Sequence, residues 1–487
     1  MLFNSFEFIL FFLPLSLIVY FSLNKRKLTR AAKAWLVFAS LLFYSWWNIK
    51  YLPLLLASAC FNYAVGTSFL KISGSQRKLI LFVGIGSNIA LLAYFKYSNF
   101  FLLNLDRFWG LHSEPYRFVL PLGISFFTLT QIAYLIDSYN NAAKEYDFLN
   151  YVLFVSFFPH LLAGPIIHHK EMMPQFDASR KKVLNYKNLS SGICLFLIGL
   201  FKKVVVADTF ARYANIGFDT ATNLTLIDAW MTSLSFTFQL YFDFSGYSDM
   251  ALGSAMMFNI HLPVNFNSPY KALNIQDFWR RWHMTLSRFL RDYIYIPLGG
   301  NRVPELLIVS NLMITFLIGG LWHGAGWHFI LWGCLHGLAM VICRLWSKLN
   351  VPIPKVIAWF ITFNFVNVAW IFFRAKEWTD ATKVLKGMFG LSGFQFLDYG
   401  LKIIHSYVQE FGMALGTLYT LLENANNVLL WTIIGLVIIV LAKNSNELAR
   451  TLSPSARTSF LTALLLFLGL LNLFIEASPT EFLYFNF

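Results

Sequence analysis

The chain has 487 residues, of which 57% are hydrophobic and only 13% are charged, and its mean hydropathy is +0.58. This composition excludes an ordinary soluble domain, which rarely exceeds about half apolar residues. Repeated apolar runs of about 17–25 residues, each able to cross about 30 Å of hydrocarbon, predict a polytopic membrane protein. The net charge of +14 does not indicate a nucleic acid partner, because cytoplasmic loops of membrane proteins are rich in Lys and Arg.

The first half of the chain predicts a series of membrane-spanning helices. Residues 3–23 read as a retained helix rather than a signal peptide, because the stretch carries Glu7 and is too long for a signal-peptide core. Basic residues after it, and again at 71–78, place those loops in the cytoplasm and the N-terminus outside. Further spans are predicted at 34–47, 52–70, 79–101 and 118–136.

The next two regions depart from this pattern. Residues 149–167 contain Pro159, Gly164 and Pro165, which interrupt helix hydrogen bonding, so we predict a re-entrant or broken segment that lines a protein cavity. Spans follow at 191–207 and 227–244. Residues 246–302 are predicted to be amphipathic rather than spanning, with one helix over 276–294 in the cytoplasmic interface. Its apolar stripe is Phe278, Trp282, Leu286, Phe289, Leu290 and Tyr293, opposite Arg280, Arg281, Arg288 and Arg291.

The last part of the chain completes the predicted fold. Residues 306–346 are long enough for two crossings, and later spans are predicted at 356–373, 428–441 and 459–475. An interfacial helix is predicted at 403–422, and parity places the C-terminus outside. We therefore predict an all-α polytopic membrane protein with twelve crossings, in one domain over 1–487 with a C-terminal extension over 374–487. The four cysteines lie in apolar segments and are predicted to be inert.

Ionisable residues concentrate in the block 239–338, and His323 is its leading candidate for catalysis. Ionisable groups inside a membrane protein indicate a functional site. His323 lies in the predicted hairpin among Gly319, Gly320, Gly324 and Gly326, and glycines permit close backbone approach by a substrate. A neutral imidazole can take a proton from a hydroxyl or thiol near pH 7. The alternative is a buried histidine that donates to a carbonyl.

His283 is the second candidate, because it lies on the arginine-rich segment. It could orient or polarise an acyl donor, or it could position His323 without touching the donor. The alternative is an interfacial histidine at the edge of a helix. Arg280 and Arg281 could bind the phosphates of a cytoplasmic donor such as coenzyme A, or anionic lipid headgroups. Trp279 and Trp282 flank them and belong to the same predicted donor site.

Other chemistry fits the sequence poorly. His323 and His328 do not share a helix face, and the chain contains neither HExxH nor GxSxG, so we predict no metal and no nucleophilic elbow. His328 and His336 are predicted to be structural. Asp243 and Asp249 are placed near the end of a span, where each could orient a histidine or act as an ordinary helix-end carboxylate.

At these residues the chain resembles the membrane-bound O-acyltransferase family, and specifically its bacterial branch of alginate and peptidoglycan O-acetyltransferases. The motifs that carry the resemblance are QLYFDFSGYSDMA (239–251), NFNSPY (265–270), DFWRRWHMTLSRFLRDYIYIPLGGNR (277–302), GGLWHGAGWHF (319–329) and WIFFRA (370–375). The resemblance implies His323 as the catalytic histidine and His283 as its companion.

The resemblance also implies a fold and a reaction. The fold is a ring of tilted helices around a tunnel through the bacterial inner membrane. The donor is cytoplasmic acetyl-CoA, with no permanently bound cofactor, and a partner extracytoplasmic acyltransferase with a serine esterase-like site passes the acetyl group to a secreted polysaccharide. Alginate, peptidoglycan, cellulose and other glycans remain open as acceptors. D-alanyl transfer to teichoic acids and a transporter without chemistry are the alternatives.

The chain end, FLYFNF at 482–487, is aromatic rather than polar. It could anchor in the membrane interface as part of an aromatic belt. The resemblance suggests a second interpretation, because a similar ending closes a small partner subunit of the teichoic-acid D-alanylation machinery. Tyr484 would then enter the tunnel, accept the acetyl group beside His323 and swing out to the partner.

Overall fold

The fold is described from a computed structural model of the chain. The structure describes residues 1–110, 114, 116, 119–143, 147–393, 426–451, 455–475 and 480–486. The interfacial helix predicted at 403–422 lies outside these residues. Within them the regular structure is entirely helical, as the sequence predicts.

A π-helical turn at Glu7–Phe12 opens the chain, and α-helices follow almost without interruption. In chain order they are α1 (Leu13–Lys25), α2 (Thr29–Ser45), α3 (Leu52–Ser68), α4 (Gly74–Trp109), α5 (Ile124–Tyr139), α6 (Phe148–Ser156), α7 (Phe158–Leu161), α8 (His169–Asp177), α9 (Tyr186–Phe201), α10 (Asp208–Asn215), α11 (Leu226–Met257), α12 (Ile275–Arg281), α13 (Met284–Leu290), α14 (Glu305–His323), α15 (Trp327–Leu349), α16 (Lys355–Arg374), α17 (Trp378–Met388), α18 (Asn426–Leu441), α19 (Ser445–Thr451) and α20 (Ala456–Ile475).

The centre of the bundle is α11, which is buried along most of its 32 residues. It packs against α9 through glycines, because a Cβ on Gly199 would lie 2.5 Å from the Gly246 carbonyl oxygen, and one on Gly253 would lie 2.6 Å from that of Gly192. Such small residues let two helix backbones approach closely where lipid supplies no hydrophobic driving force. The prediction that the span ends at residue 244 and that residues 246–257 are amphipathic is wrong, since these residues complete this buried central helix.

Seven helices of the described residues are long and apolar enough to cross a membrane, and 428–441 and 459–475 form shorter apolar helices. Neither α5 nor α11 is among the seven, although both coincide with predicted spans. Helix α5 has only 16 residues and is shorter than all seven candidates. Helix α11 is surrounded by protein, and a helix that contacts protein does not need a lipid-facing apolar surface. The predicted number of twelve crossings stays a prediction.

The broken segment predicted at 149–167 is confirmed. Helix α6 ends at Ser156, Phe157 adopts a non-helical conformation, and Pro159 lies in the first turn of the short helix α7. Gly164 lies so close to His160 that a Cβ would contact the His160 backbone. Residues 151–167 are all buried, which is how a membrane protein accommodates backbone that is not helical.

The single interfacial helix predicted at 276–294 is wrong. The chain forms α12, breaks at Trp282 and His283, and resumes as α13 followed by a π-helical turn at Arg291–Tyr295. The apolar stripe faces the bundle, and Arg280 and Arg291 are exposed, so the predicted inner and outer faces are correct. Hydrophobic periodicity identified the buried face but could not reveal a one-residue change of backbone direction.

Candidate active site

His323 is the last residue of α14, at the tip of the predicted two-helix hairpin. Helices α14 and α15 meet through glycines, because a Cβ on Gly320 would collide with the Phe329 carbonyl oxygen and lie 3.1 Å from the Gly333 Cα. A Cβ on Gly324 would collide with the Phe329 ring. These glycines therefore leave room for helix α15 and for the Phe329 ring, whereas the sequence analysis expected them to leave room for a substrate.

Lys96 of α4 holds the end of α14 from the other side. Its Nζ donates to the carbonyl oxygens of Trp322, at 2.6 Å, and His323, at 3.0 Å, with the Ser125 Oγ at 3.3 Å. The last carbonyls of a helix have no partner within the helix and carry partial negative charge, so a cation there is stabilising. This lysine therefore fixes the backbone that carries His323.

His283 occupies the break between α12 and α13. Its φ is 42°, a left-handed conformation that is uncommon for a residue with a side chain. The break is held by the NFNSPY segment, since Asn267 N donates to the Arg281 carbonyl (2.9 Å), Met284 N donates to the Asn265 carbonyl (2.9 Å) and Thr285 Oγ1 donates to Asn265 Oδ1 (2.6 Å). The imidazole is completely buried, and neither ring nitrogen has a hydrogen-bond partner in the structure.

The tyrosine of the chain end joins the two histidines. The ring centroid of Tyr484 lies 5.6 Å from that of His323 and 6.4 Å from that of His283, and the two histidine rings are 6.4 Å apart. Phe244 of α11 packs under this group, 4.7 Å from His283 and 4.5 Å from Tyr484. Three rings that carry ionisable groups, from parts of the chain up to 201 residues apart in sequence, thus meet at one point.

A small cavity of about 30 Å³ opens beside this group. Its lining includes the N-terminal end of α5 and the loop before it, and the polar and ionisable side chains that line it are Lys96, Ser125, Trp322, His323 and Tyr484. His323 Nδ1 is buried without a hydrogen-bond partner in the structure. The arrangement places a potential proton acceptor, a phenol and a cation around one space, which suits transfer of an acyl group between oxygen or sulfur atoms.

The residues predicted for the donor site lie elsewhere. Arg280 is exposed, and Arg281 Nε donates to Asp277 Oδ1 at 3.0 Å. Trp279 packs against Trp332 and His336, and Trp282 is completely buried. The structure therefore brings His323, His283 and Tyr484 together but does not bring the Trp279–Trp282 segment to the cavity.

The other predicted residues divide as follows. His336 is completely buried among aromatic rings and accepts a hydrogen bond from Trp279 Nε1 at 3.3 Å, and His328 packs on Phe329. Asp243 and Asp249 lie well inside α11, so their predicted place near a helix end is wrong. Each binds a lysine, at 2.8 Å, and neither forms an ion pair or hydrogen bond with a histidine among the contacts of the described residues.

Sequence reasoning missed Lys96, Lys202 and Lys203, which lie inside predicted spans. A charged residue within an apolar run was the available signal, because such residues are costly in a membrane and usually paired or functional. Their partners could not be read from the sequence, since Lys96 contacts residues 226 and 227 positions away.

With this geometry in place, comparison with known proteins identifies the fold. A model of the membrane-bound O-acyltransferase family matches residues 10–376.

The chain belongs to this family.

It is 49% identical to a peptidoglycan O-acetyltransferase from Helicobacter pylori, over 100% of this chain and 98% of that protein. It is 38% identical to a probable alginate O-acetylase from Pseudomonas aeruginosa, over 82% of this chain and 76% of that protein. A teichoic acid D-alanyltransferase from Bacillus subtilis is 28% identical over 54% of this chain and 71% of that protein.

These similarities confirm the predicted family, the all-α polytopic fold and the enzyme class: the protein is a multi-pass membrane-bound O-acyltransferase. The roles of individual residues in the site stay predictions.

Proposed function

We propose that this O-acyltransferase moves an acetyl group from cytoplasmic acetyl-CoA across the bacterial inner membrane for O-acetylation of a cell-envelope polysaccharide. The similarity to a peptidoglycan O-acetyltransferase over the whole chain supports this reaction, whereas the D-alanyltransferase aligns with little more than half of it. The observation that carries the proposal is the meeting of His323 and Tyr484 at one cavity.

In this proposal His323 is the general base. Its ring contacts Trp322, Trp332 and Phe373, so it is held in place by packing and keeps a nitrogen free for a proton. Its main chain is fixed by Lys96. A base that is held rigidly within reach of the reacting hydroxyl is the usual requirement for proton abstraction. His283 supports this group, with its ring centroid 6.4 Å from those of both His323 and Tyr484.

Tyr484 is proposed to carry the acetyl group as an aryl ester. The imidazole of His323 takes the phenol proton, the phenolate oxygen attacks the thioester carbonyl, and the C–S bond breaks to release coenzyme A, whose sulfur receives the proton. A serine hydroxyl of the extracytoplasmic partner then attacks the acetyl carbonyl of the aryl ester, the bond between that carbonyl carbon and the phenolic oxygen breaks, and the Tyr484 phenolate takes up the proton that the serine hydroxyl loses. An aryl ester is more activated than an alkyl ester, so the second transfer runs downhill.

The donor is proposed to reach this site from the side of Arg280 and Arg281. Arg280 is exposed, and guanidinium groups suit phosphate recognition. Because Trp279 and Trp282 are buried beside them, the tryptophans are assigned to holding α12 against the bundle. In the same proposal, membrane lipids contact the other two arginines of this segment, Arg288 and Arg291.

Replacement of His323 tests the reaction. His323→Ala in membranes supplied with acetyl-CoA should lower CoA release and polymer acetylation by at least about 100-fold, with the protein still folded. His328→Ala is the matched control, since it removes a histidine from the same hairpin beyond the turn, and it should stay near normal. Normal acetylation by His323→Ala would contradict the proposal, and activity that requires an aminoacyl carrier protein in place of acetyl-CoA would favour D-alanyl transfer.

Replacement of Tyr484 tests the relay separately. Tyr484→Phe keeps the ring that packs on Phe244 and removes only the hydroxyl, so polymer acetylation should be lost. Tyr247→Phe is the control, because it removes a hydroxyl from a ring that stacks on Phe482 at 4.6 Å. If Tyr484→Phe acetylates polymer at the parent rate, the tyrosine only packs in the site and the relay is wrong.

A further inference from the structure

Three buried ionisable residues form a cluster under the chain end. Lys203 Nζ lies 2.9 Å from Asp208 Oδ1 and 2.8 Å from Asp243 Oδ1, and each of the three residues is no more than 6% exposed. Two carboxylates around one ammonium leave the cluster with an excess negative charge. Burial of such groups is favourable only when the remaining oxygens and protons also find partners.

The chain end supplies those partners. Each carboxylate uses one oxygen for Lys203 and the other for the tail, and Lys203 uses a further proton for a tail carbonyl. The contacts are Thr480 Oγ1 to Asp208 Oδ2 at 2.6 Å, Lys203 Nζ to the Glu481 carbonyl oxygen at 3.1 Å, Leu483 N to Asp243 Oδ2 at 2.9 Å, and Asn4 Nδ2 to the Thr480 carbonyl oxygen at 3.0 Å. We name Lys203, Asp208 and Asp243 the tail cradle.

The tail cradle is directly connected to the acyl-transfer site. Asp243 binds the main chain of Leu483, and the next residue, Phe244, packs on the ring of the next tail residue, Tyr484. Three of the four contacts reach main-chain atoms of the tail. Departure of the tail would leave two carboxylate oxygens and one ammonium proton in the interior without these partners, and unsatisfied buried polar groups are costly.

We propose that Lys203, Asp208 and Asp243 are positioning residues that keep the main chain of residues 480–483 docked throughout turnover. This inference rests on the proposed function, because it assumes that Tyr484 takes part in transfer at His323. It changes how the relay works: the ester on Tyr484 is delivered at the mouth of the cavity by movement of the side chain, and the partner's serine comes to it. The predicted swing of the whole tail is replaced by a fixed tail.

The ion pair of the neighbouring lysine, Lys202, provides a matched control. Lys202 binds Asp249 at 2.8 Å, and Asp249 also accepts a hydrogen bond from Ser445 Oγ at 2.5 Å. Asp249 lies on the same helix as Asp243, is buried to a similar degree and also binds a lysine. It differs in its second partner, because it binds Ser445 of α19 and not the tail. Loss of either carboxylate disturbs a buried ion pair, and only loss of Asp243 releases the chain end.

A spin label at position 481, whose side chain is exposed, reports on the tail in the full-length enzyme. Glu481→Cys with the label should be immobilised in the parent, mobile in Asp243→Asn, and immobilised in Asp249→Asn. Asp243→Asn should lower kcat for polymer acetylation about tenfold or more, as expected for a displaced catalytic group.

Two results would overturn the inference: an immobile label in Asp243→Asn, or a mobile label in Asp243→Asn with kcat for polymer acetylation unchanged. Thr480→Val removes one hydroxyl from the tail and none from the bundle, so it gives an answer even if Asp243→Asn folds poorly, and it should also loosen the label. Because label mobility does not depend on catalysis, His323→Ala should leave the label immobile. Normal activity of His323→Ala would remove the proposed function and leave the docking result intact.

Discussion

His323 and His336 lie on the two helices of one hairpin, and both are buried against Trp332, with ring centroids 5.0 and 4.7 Å from it. They differ in what lies on the other side of the ring. His336 is enclosed by Trp279, Phe316 and Phe365, and His323 faces a cavity shared with Lys96 and Tyr484. Burial therefore does not distinguish a catalytic candidate from a structural histidine, whereas contact with an open cavity does.

Lys96 binds the end of the hairpin that carries His323, so its replacement should affect that histidine in particular. Lys96→Met removes the ammonium that binds the Trp322 and His323 carbonyl oxygens, so His323 should shift and acetyl transfer should fall about 10- to 100-fold. Tyr97→Phe is the control, since Tyr97 of the same helix donates to the preceding carbonyl, that of Leu321, and loses only a neutral hydrogen bond. Equal activities of the two variants would show that the cation has no special role.

Truncation of the two histidines should separate activity from stability. His336→Ala leaves a hole in close-packed aromatic rings, so the free energy of unfolding should drop by about 2–4 kcal/mol, while the folded enzyme keeps its activity within about threefold. His323→Ala enlarges an existing cavity and should cost less stability while it abolishes transfer. Thermal unfolding in detergent and CoA release measure the two properties. A catalytic defect in folded His336→Ala would break the distinction.

The smallest expected effect concerns the hydrogen bond that satisfies His336. Trp279→Phe keeps an aromatic ring and removes the indole N–H that donates to His336 Nδ1, so the free energy of unfolding should fall by about 1 kcal/mol. The KM for acetyl-CoA should not change. In the double variant with His336→Ala, the two stability losses should be less than additive, because the residues share one contact. A raised KM for acetyl-CoA in Trp279→Phe would instead place this tryptophan in the donor site.

Much of this protein is determined by the sequence itself. Apolar runs and prolines predicted the membrane bundle, the hairpin of α14 and α15 and the broken segment at 149–167, because hydrophobic length and helix interruption are local properties. The motifs around His283 and His323 predicted the family. The same local reasoning failed at His283, where the break depends on hydrogen bonds from Asn265 and Asn267 that no helical periodicity reveals.

Tertiary structure alone decided which ionisable residues meet. Asp243 read as a helix-end carboxylate until the fold placed it inside α11, next to Lys203 and under a chain end 240 residues away. The position of Tyr484 was suggested by resemblance, yet the groups that hold its main chain were invisible in the sequence. A buried charge must find partners, and the sequence records only that the charge is there; folding determines which distant residues satisfy it, because the cost of leaving it unpaired depends on the packed interior.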